Sequence, residues 1–183
     1  AVTEDWLRFD LTVTVPGRVL GARTRLKPLM DRAGIWDGLP EALPPRPLDR
    51  RYVEETAEEA LRIMGLFPVA MGREEYVVAV SGIGLMRNQL IALMVAETEP
   101  ALPPGALHLK RILPPEDMEV LSSLLPMAPE RDAVVAANLQ MAEVLLARLR
   151  RAAERTGAKW PERLEAAARA VWRRDLGLDL PTS

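Results

Sequence analysis

Between Leu7 and Val15 the apolar residues Leu7, Phe9, Leu11, Val13 and Val15 alternate strictly with Arg8, Asp10, Thr12 and Thr14. A period of two sends the two sets to opposite faces of an extended chain, so this segment predicts a half-buried β-strand. Pro16 and Gly17 end it. Leu26 to Met30 reads as a second short extended piece before a turn at Asp31-Arg32-Ala33-Gly34. Two strands cannot form a stable sheet in water, so the pattern implies partner strands that the rest of the chain does not supply. Gly38 to Pro47 contains Pro40, Pro44, Pro45 and Pro47 and reads as an extended linker.

After the linker the period becomes helical. Asp49 is placed to cap a helix whose Val53, Ala57, Ala60, Leu61 and Met64 fall on one face, with Glu54, Glu55, Glu58 and Glu59 outside. Pro68 is expected to bend or end that helix. From about Glu74 to Ala96 the residues are apolar nearly all round, which predicts a helix central to a bundle. Thr98 to Pro115 reads as Pro-rich loop, a short helix starts near Pro115, and Pro129 opens a long helix that Gly157 stops. A last amphipathic helix follows Pro161 through Leu164, Ala168, Val171 and Trp172. The expected fold class is mainly α: an N-terminal strand or hairpin remnant over 1–37, a linker over 38–48, and a bundle of about five helices over 49–183.

Composition narrows the function classes. The chain has 183 residues, and 24 Lys and Arg against 26 Asp and Glu give a net charge of -2, which excludes a chain-wide basic field for nucleic acid or an anionic membrane. A 49% hydrophobic content with 4% aromatics leaves Leu, Ala, Val and Met to fill the core. The absence of Cys removes thiol chemistry and disulfides, and fits a reducing, cytoplasmic setting. His108 is the single histidine, which rules out a multi-histidine metal centre. The apolar run Tyr76 to Ala96 is interrupted by Arg87, Asn88 and Gln89, short of the ~20 clean residues of a membrane span, so a soluble protein is expected. With Ala1 first, the chain reads as beginning mid-protein.

Several segments carry a resemblance: Asp5-Trp6-Leu7-Arg8-Phe9-Asp10-Leu11-Thr12-Val13, Pro28-Leu29-Met30-Asp31-Arg32-Ala33-Gly34, Gly72-Arg73-Glu74-Glu75-Tyr76, Leu85-Met86-Arg87 and Gly105-Ala106-Leu107-His108-Leu109. Together they resemble the C-terminal part of a nucleotidyltransferase-superfamily protein, the group that includes the aminoglycoside nucleotidyltransferases. The family's Gly-Ser turn and Asp-x-Asp pair do not occur in the chain. The resemblance implies a magnesium-dependent transfer of a nucleoside monophosphate from a nucleoside triphosphate to an acceptor hydroxyl. The partners it implies are the triphosphate, a small-molecule acceptor and a missing N-terminal catalytic half, without which the chain is inactive.

On this resemblance Asp10 is the third carboxylate, a catalytic residue and magnesium ligand; read by itself it is a polar residue on an exposed strand face. Arg87, alone in an apolar helix, needs a partner: Glu75 or another carboxylate on the structural reading, a phosphate on the functional one. His108 and Lys110 are placed to face the triphosphate from their loop, or are ordinary loop residues. Glu75 and Tyr76 are candidate acceptor-binding residues, although acidic groups at a helix start also match the helix dipole. Ser81, Gly82 and Gly84 read as packing contacts, and the run Arg148, Arg150, Arg151 and Arg155 as a solvated helix face. The competing function is a non-catalytic helical interaction module whose N-terminal strand completes a partner's sheet.

Overall fold

The computed structural model describes residues 11–15, 18–19, 21–100 and 108–181, in two compact units, Ala1–Pro45 and Arg46–Ser183. The first unit contains, among its described residues, a 3-10 turn at Arg23–Arg25 and no strand. Its backbone pairs locally: Arg23 N–H donates to the Pro40 carbonyl at 2.9 Å and Thr24 N–H to that of Glu41 at 3.2 Å. The Asp31 carboxylate accepts from Trp36 N–H at 2.7 Å and Ile35 N–H at 3.0 Å, which holds its carboxyl below the usual range. Gly34 takes the left-handed conformation inside this turn, at φ 64°.

This corrects the expected strand remnant. Residues 11–15 are extended but unpaired, and Leu11 and Val13 are 86% and 89% exposed. Alternation supplies an apolar face; a strand also needs a neighbour to take its N–H and C=O groups, and none is present among the described residues. Leu26 to Met30 is likewise irregular. Positions 7–10 of the expected strand lie outside the described residues.

Among its described residues the second unit is a six-helix assembly: α1 (Arg50–Gly72), α2 (Tyr76–Glu97), α3 (Leu109–Ile112), α4 (Pro115–Ser123), α5 (Arg131–Thr156) and α6 (Glu162–Leu176). The Asp49 carboxylate caps α1 by accepting from Arg51 N–H at 2.7 Å. α1 packs against α2, α5 and α6, and α2 against α5. The central helix is therefore α1 and not α2. The physical reason is the width of α1's buried face, which includes Val53, Thr56, Ala57, Ala60, Leu61, Ile63, Met64, Phe67 and Met71. α2 is long and apolar enough, by length and composition, to cross a membrane, yet only 33% of its apolar window is buried, and Val77, Val78 and Leu85 are exposed.

Pro68 neither ends nor breaks α1, which continues to Gly72. Proline cannot donate to the carbonyl four residues back, and that carbonyl belongs to Met64. The buried indole N–H of Trp172 on α6 donates to the Met64 carbonyl at 2.7 Å, so the acceptor that Pro68 abandons is filled from another helix. The Trp172 ring also lies 5.2 Å, centroid to centroid, from Phe67. α5 and α6 both stop at glycines in the left-handed region, Gly157 at φ 69° and Gly177 at φ 67°.

Candidate functional site

A cavity of about 560 Å³ opens where the chain approaches α1 beside the C-terminal half of α2. Its walls come from three places. Pro47, with φ fixed by its ring, keeps the chain extended into the Asp49 cap, so Leu48 faces the cavity and Tyr52 follows from the first turn of α1. On α2, Asn88, Ile91, Ala92, Val95 and Ala96 recur at intervals of three and four and so share one face. Pro100 and Leu109 close the third side.

Backbone bonds set the mouth. Arg46 N–H donates to the Glu99 carbonyl at 3.3 Å, fastening the approach segment to the residues just beyond α2. Thr98 N–H and Glu99 N–H donate to Val95 and Ala96 carbonyls at 3.2 and 3.0 Å, so these end groups of α2 are already satisfied. Leu48, Tyr52, Ile91, Val95 and Leu109 are half-buried and pack on the core, which makes the cavity floor continuous with it.

Among the described residues, four polar side chains line this apolar space: Arg46, Asp49, Tyr52 and Asn88. Asp49 is committed to the α1 cap. Arg46 forms no ion pair and the Asn88 amide no hydrogen bond among the described residues, while the Tyr52 hydroxyl lies beside the Thr56 side chain. Burial pushes the Tyr52 phenol up, with Thr56 opposing less strongly, so it keeps its proton at neutral pH and can donate. The site therefore offers an apolar body, the unpaired Arg46 guanidinium, the Asn88 amide as donor and acceptor, and the Asp49 carboxylate with one oxygen engaged in the cap. Such a volume falls in the range of small-molecule pockets.

The residues singled out from sequence are dispersed. Asp10 lies outside the described residues. Glu75 is the exposed N-cap of α2 without a side-chain cap bond, and Tyr76 is half-buried beside it. His108 is the exposed N-cap of α3, and Lys110 is exposed on that helix. Leu109 shares the cavity with residues of α2's far half, so at about 1.5 Å per residue α3 lies roughly 20–30 Å along α2 from Glu75. Arg87 sits between these groups; its half-buried side chain makes no ion pair with Glu75, and its Nε is buried without a hydrogen-bond partner. Arg46, Tyr52 and Asn88 were not singled out, and the single cue was an arginine between prolines, Pro45-Arg46-Pro47, just before a cap.

The arginine run is not a solvated face throughout. Arg148 is only 16% exposed and grips Asp117 of α4 through two bonds, one of 2.8 Å, while its Nε binds Glu97 at the end of α2. Arg150 pairs with Glu165 of α6 and stacks on Trp160, its guanidinium carbon 4.4 Å from the ring centroid. Glu165 also accepts from Trp160 Nε1 at 2.6 Å and from Arg169 at 2.6 Å. Burial pushes its carboxyl up, but the bonds from Trp160, Arg169 and Arg150 prevail and hold it below the usual range. These groups tie helices together, and Arg150 and Trp160 also border a second cavity of about 270 Å³.

No family model, curated protein or solved structure matches the chain. The nucleotidyltransferase resemblance is accordingly overturned: among the described residues no catalytic sheet exists, and the regular elements of the second unit are all helices. Magnesium has no support, because no group of three metal-ligating side chains occurs among the described residues. Nucleoside triphosphate and acceptor partners, and the transferase activity, fall with it. The sheet-completing module falls for the reason that removed the strand, since residues 11–15 form none.

Proposed function

We propose that the Arg46–Ser183 unit is a ligand-binding helical domain that takes a small, mainly apolar molecule into the cavity between the 46–49 segment, α1 and α2. One observation carries this reading: a space of about 560 Å³ floored by half-buried Leu48, Ile91, Val95 and Leu109, with unengaged polar groups at its edge. Apolar walls supply affinity and the few polar groups supply orientation.

Ala92 is exposed on α2 yet lines the cavity, so an enlarged side chain there fills the space without entering the core. The test is saturable binding of the neutral fluorophore N-phenyl-1-naphthylamine to the whole chain and to Ala92→Trp. One-to-one binding by the wild type, weakened at least tenfold in Ala92→Trp with unchanged helical circular dichroism, supports the proposal. Absence of saturable binding, or equal binding by the variant, refutes it.

A further inference from the structure

We infer that the ligand of this cavity is an amphiphile with an anionic end, a medium-chain carboxylate seated tail-inward with its head at Arg46. The inference rests on the ligand-binding reading above and adds the chemistry of the head group. It follows from which polar groups at the mouth are free and which are engaged.

The one carboxylate at the mouth is partly engaged. Asp49 accepts from Arg51 N–H at 2.7 Å, and its charge is matched to the N-terminus of α1. The Val95 and Ala96 carbonyls take the Thr98 and Glu99 N–H groups. Asp49 is the one acidic side chain among the described lining residues, so a cationic head would have to share a carboxylate already bound to the start of α1.

The donors are free. Arg46 has no carboxylate partner among the described residues, and its two nearest arginine neighbours in the chain differ from it in this: Arg50 pairs with Glu54 at 2.9 Å and Arg51 with Glu55 at 2.7 Å. A guanidinium fork matches a carboxylate through two parallel bonds, with the Asn88 amide able to add one. Below the donors the walls are the apolar groups of Leu48, Ile91, Val95 and Leu109, which suit an alkyl chain. Because Arg46 is exposed, its charge stays solvated in the empty protein and costs nothing to keep.

Decanoate and decyltrimethylammonium below their micelle concentrations, and decanol below its solubility limit, all at pH 8, are titrated by displacement of the bound fluorophore from the wild type and from Arg46→Gln. Arg46 is at the mouth and outside the core, so its replacement leaves the fold intact. Decanoate is expected to bind the wild type at least tenfold more tightly than the ammonium compound. Arg46→Gln is expected to lose at least fivefold for decanoate with decanol unchanged, and each methylene from octanoate to decanoate is expected to add about fourfold. Equal losses for decanoate and decanol, no loss for either, or tighter binding of the ammonium overturn the anionic head while leaving a ligand site in place. Failure of all three compounds and of the fluorophore to bind refutes the ligand-binding reading itself.

Discussion

The bond between Trp172 and Met64 gives the sharpest quantitative test of how this bundle is held. Pro68 removes one hydrogen bond from the middle of α1, and Trp172 Nε1 donates at 2.7 Å to the carbonyl left over. Trp172→Phe keeps an aromatic ring beside Phe67 but deletes that donor. A buried acceptor without a partner costs about 1–3 kcal/mol, and the smaller ring adds to this. In a Pro68→Ala background, residue 68 regains an N–H aimed at the same carbonyl, so the same Trp172→Phe change leaves no orphan. The double-mutant cycle should then show a coupling of about 1–2 kcal/mol, well above the ~0.3–0.5 kcal/mol scatter of independent sites.

The assay is urea unfolding of the four proteins followed by far-ultraviolet circular dichroism, because tryptophan fluorescence changes with the mutation itself. The lost packing of the proline ring appears on both sides of the cycle and cancels. Midpoints are compared at constant slope, which confirms that the unfolding reaction is the same in all four. Additive losses, with coupling below ~0.5 kcal/mol, would mean that Trp172 is needed for its volume alone, and the filled-carbonyl account of why α1 survives Pro68 would fail.

Arg148→Met should destabilise by about 3–5 kcal/mol, since it strands Asp117, 9% exposed, and leaves Glu97, 12% exposed, with only the longer 3.5 Å pair to Arg155; a loss under ~1 kcal/mol in the same denaturation would show the network to be dispensable. Glu165 has a folded carboxyl held below its ordinary value of 4.5, so its contribution is present above that pH and is lost as pH falls through the lower folded value. The stability gap between wild type and Glu165→Gln should therefore narrow from pH 7 to pH 3, and a gap that stays constant or widens on acidification would contradict this. Gly157→Ala should cost about 1 kcal/mol because the left-handed cap disfavours a Cβ, whereas Gly72→Ala, with open space around it and no such φ, should be neutral or slightly stabilising. A chain beginning at Arg46 should unfold cooperatively, because the apolar faces of its helices bury one another; a dye-binding product without cooperative unfolding would show that the first unit is needed.

Where a pattern is completed by neighbours in the chain, the sequence was a sufficient guide. The Asp49 cap, the glycine stop at 157 and the positions of the long helices depend on residues within a turn or two. Features completed at long range were misjudged. Pro68 looks like a breaker until an indole 108 residues beyond Met64 supplies the missing donor. The arginine run looks solvated until Glu97 and Asp117, 51 and 31 residues before Arg148, fold against it. The alternation at 11–15 is the converse case, an apolar face without hydrogen-bonding neighbours, and Val13 at 89% exposure shows that alternation alone does not make a strand.

α2 shows how the candidate site was present in the sequence without being readable as one. A helix apolar on every side has more apolar surface than one core contact can cover, and placing it at the centre was one way to account for the surplus. The structure divides that surface. Met86, Leu90, Leu93 and Met94 enter the core, while the adjoining face at Ile91, Ala92, Val95 and Ala96 lines the cavity. Core and cavity residues interleave at one- to three-residue spacing, so periodicity cannot separate a face that packs on protein from one that waits for a ligand. The 46–49 segment separates them by holding Arg46 to Glu99 across the end of α2, where Leu48 and Tyr52 form the opposite wall. The surplus apolarity of α2 was thus the sequence-level trace of the cavity, and its meaning depended on a wall about forty residues earlier in the chain.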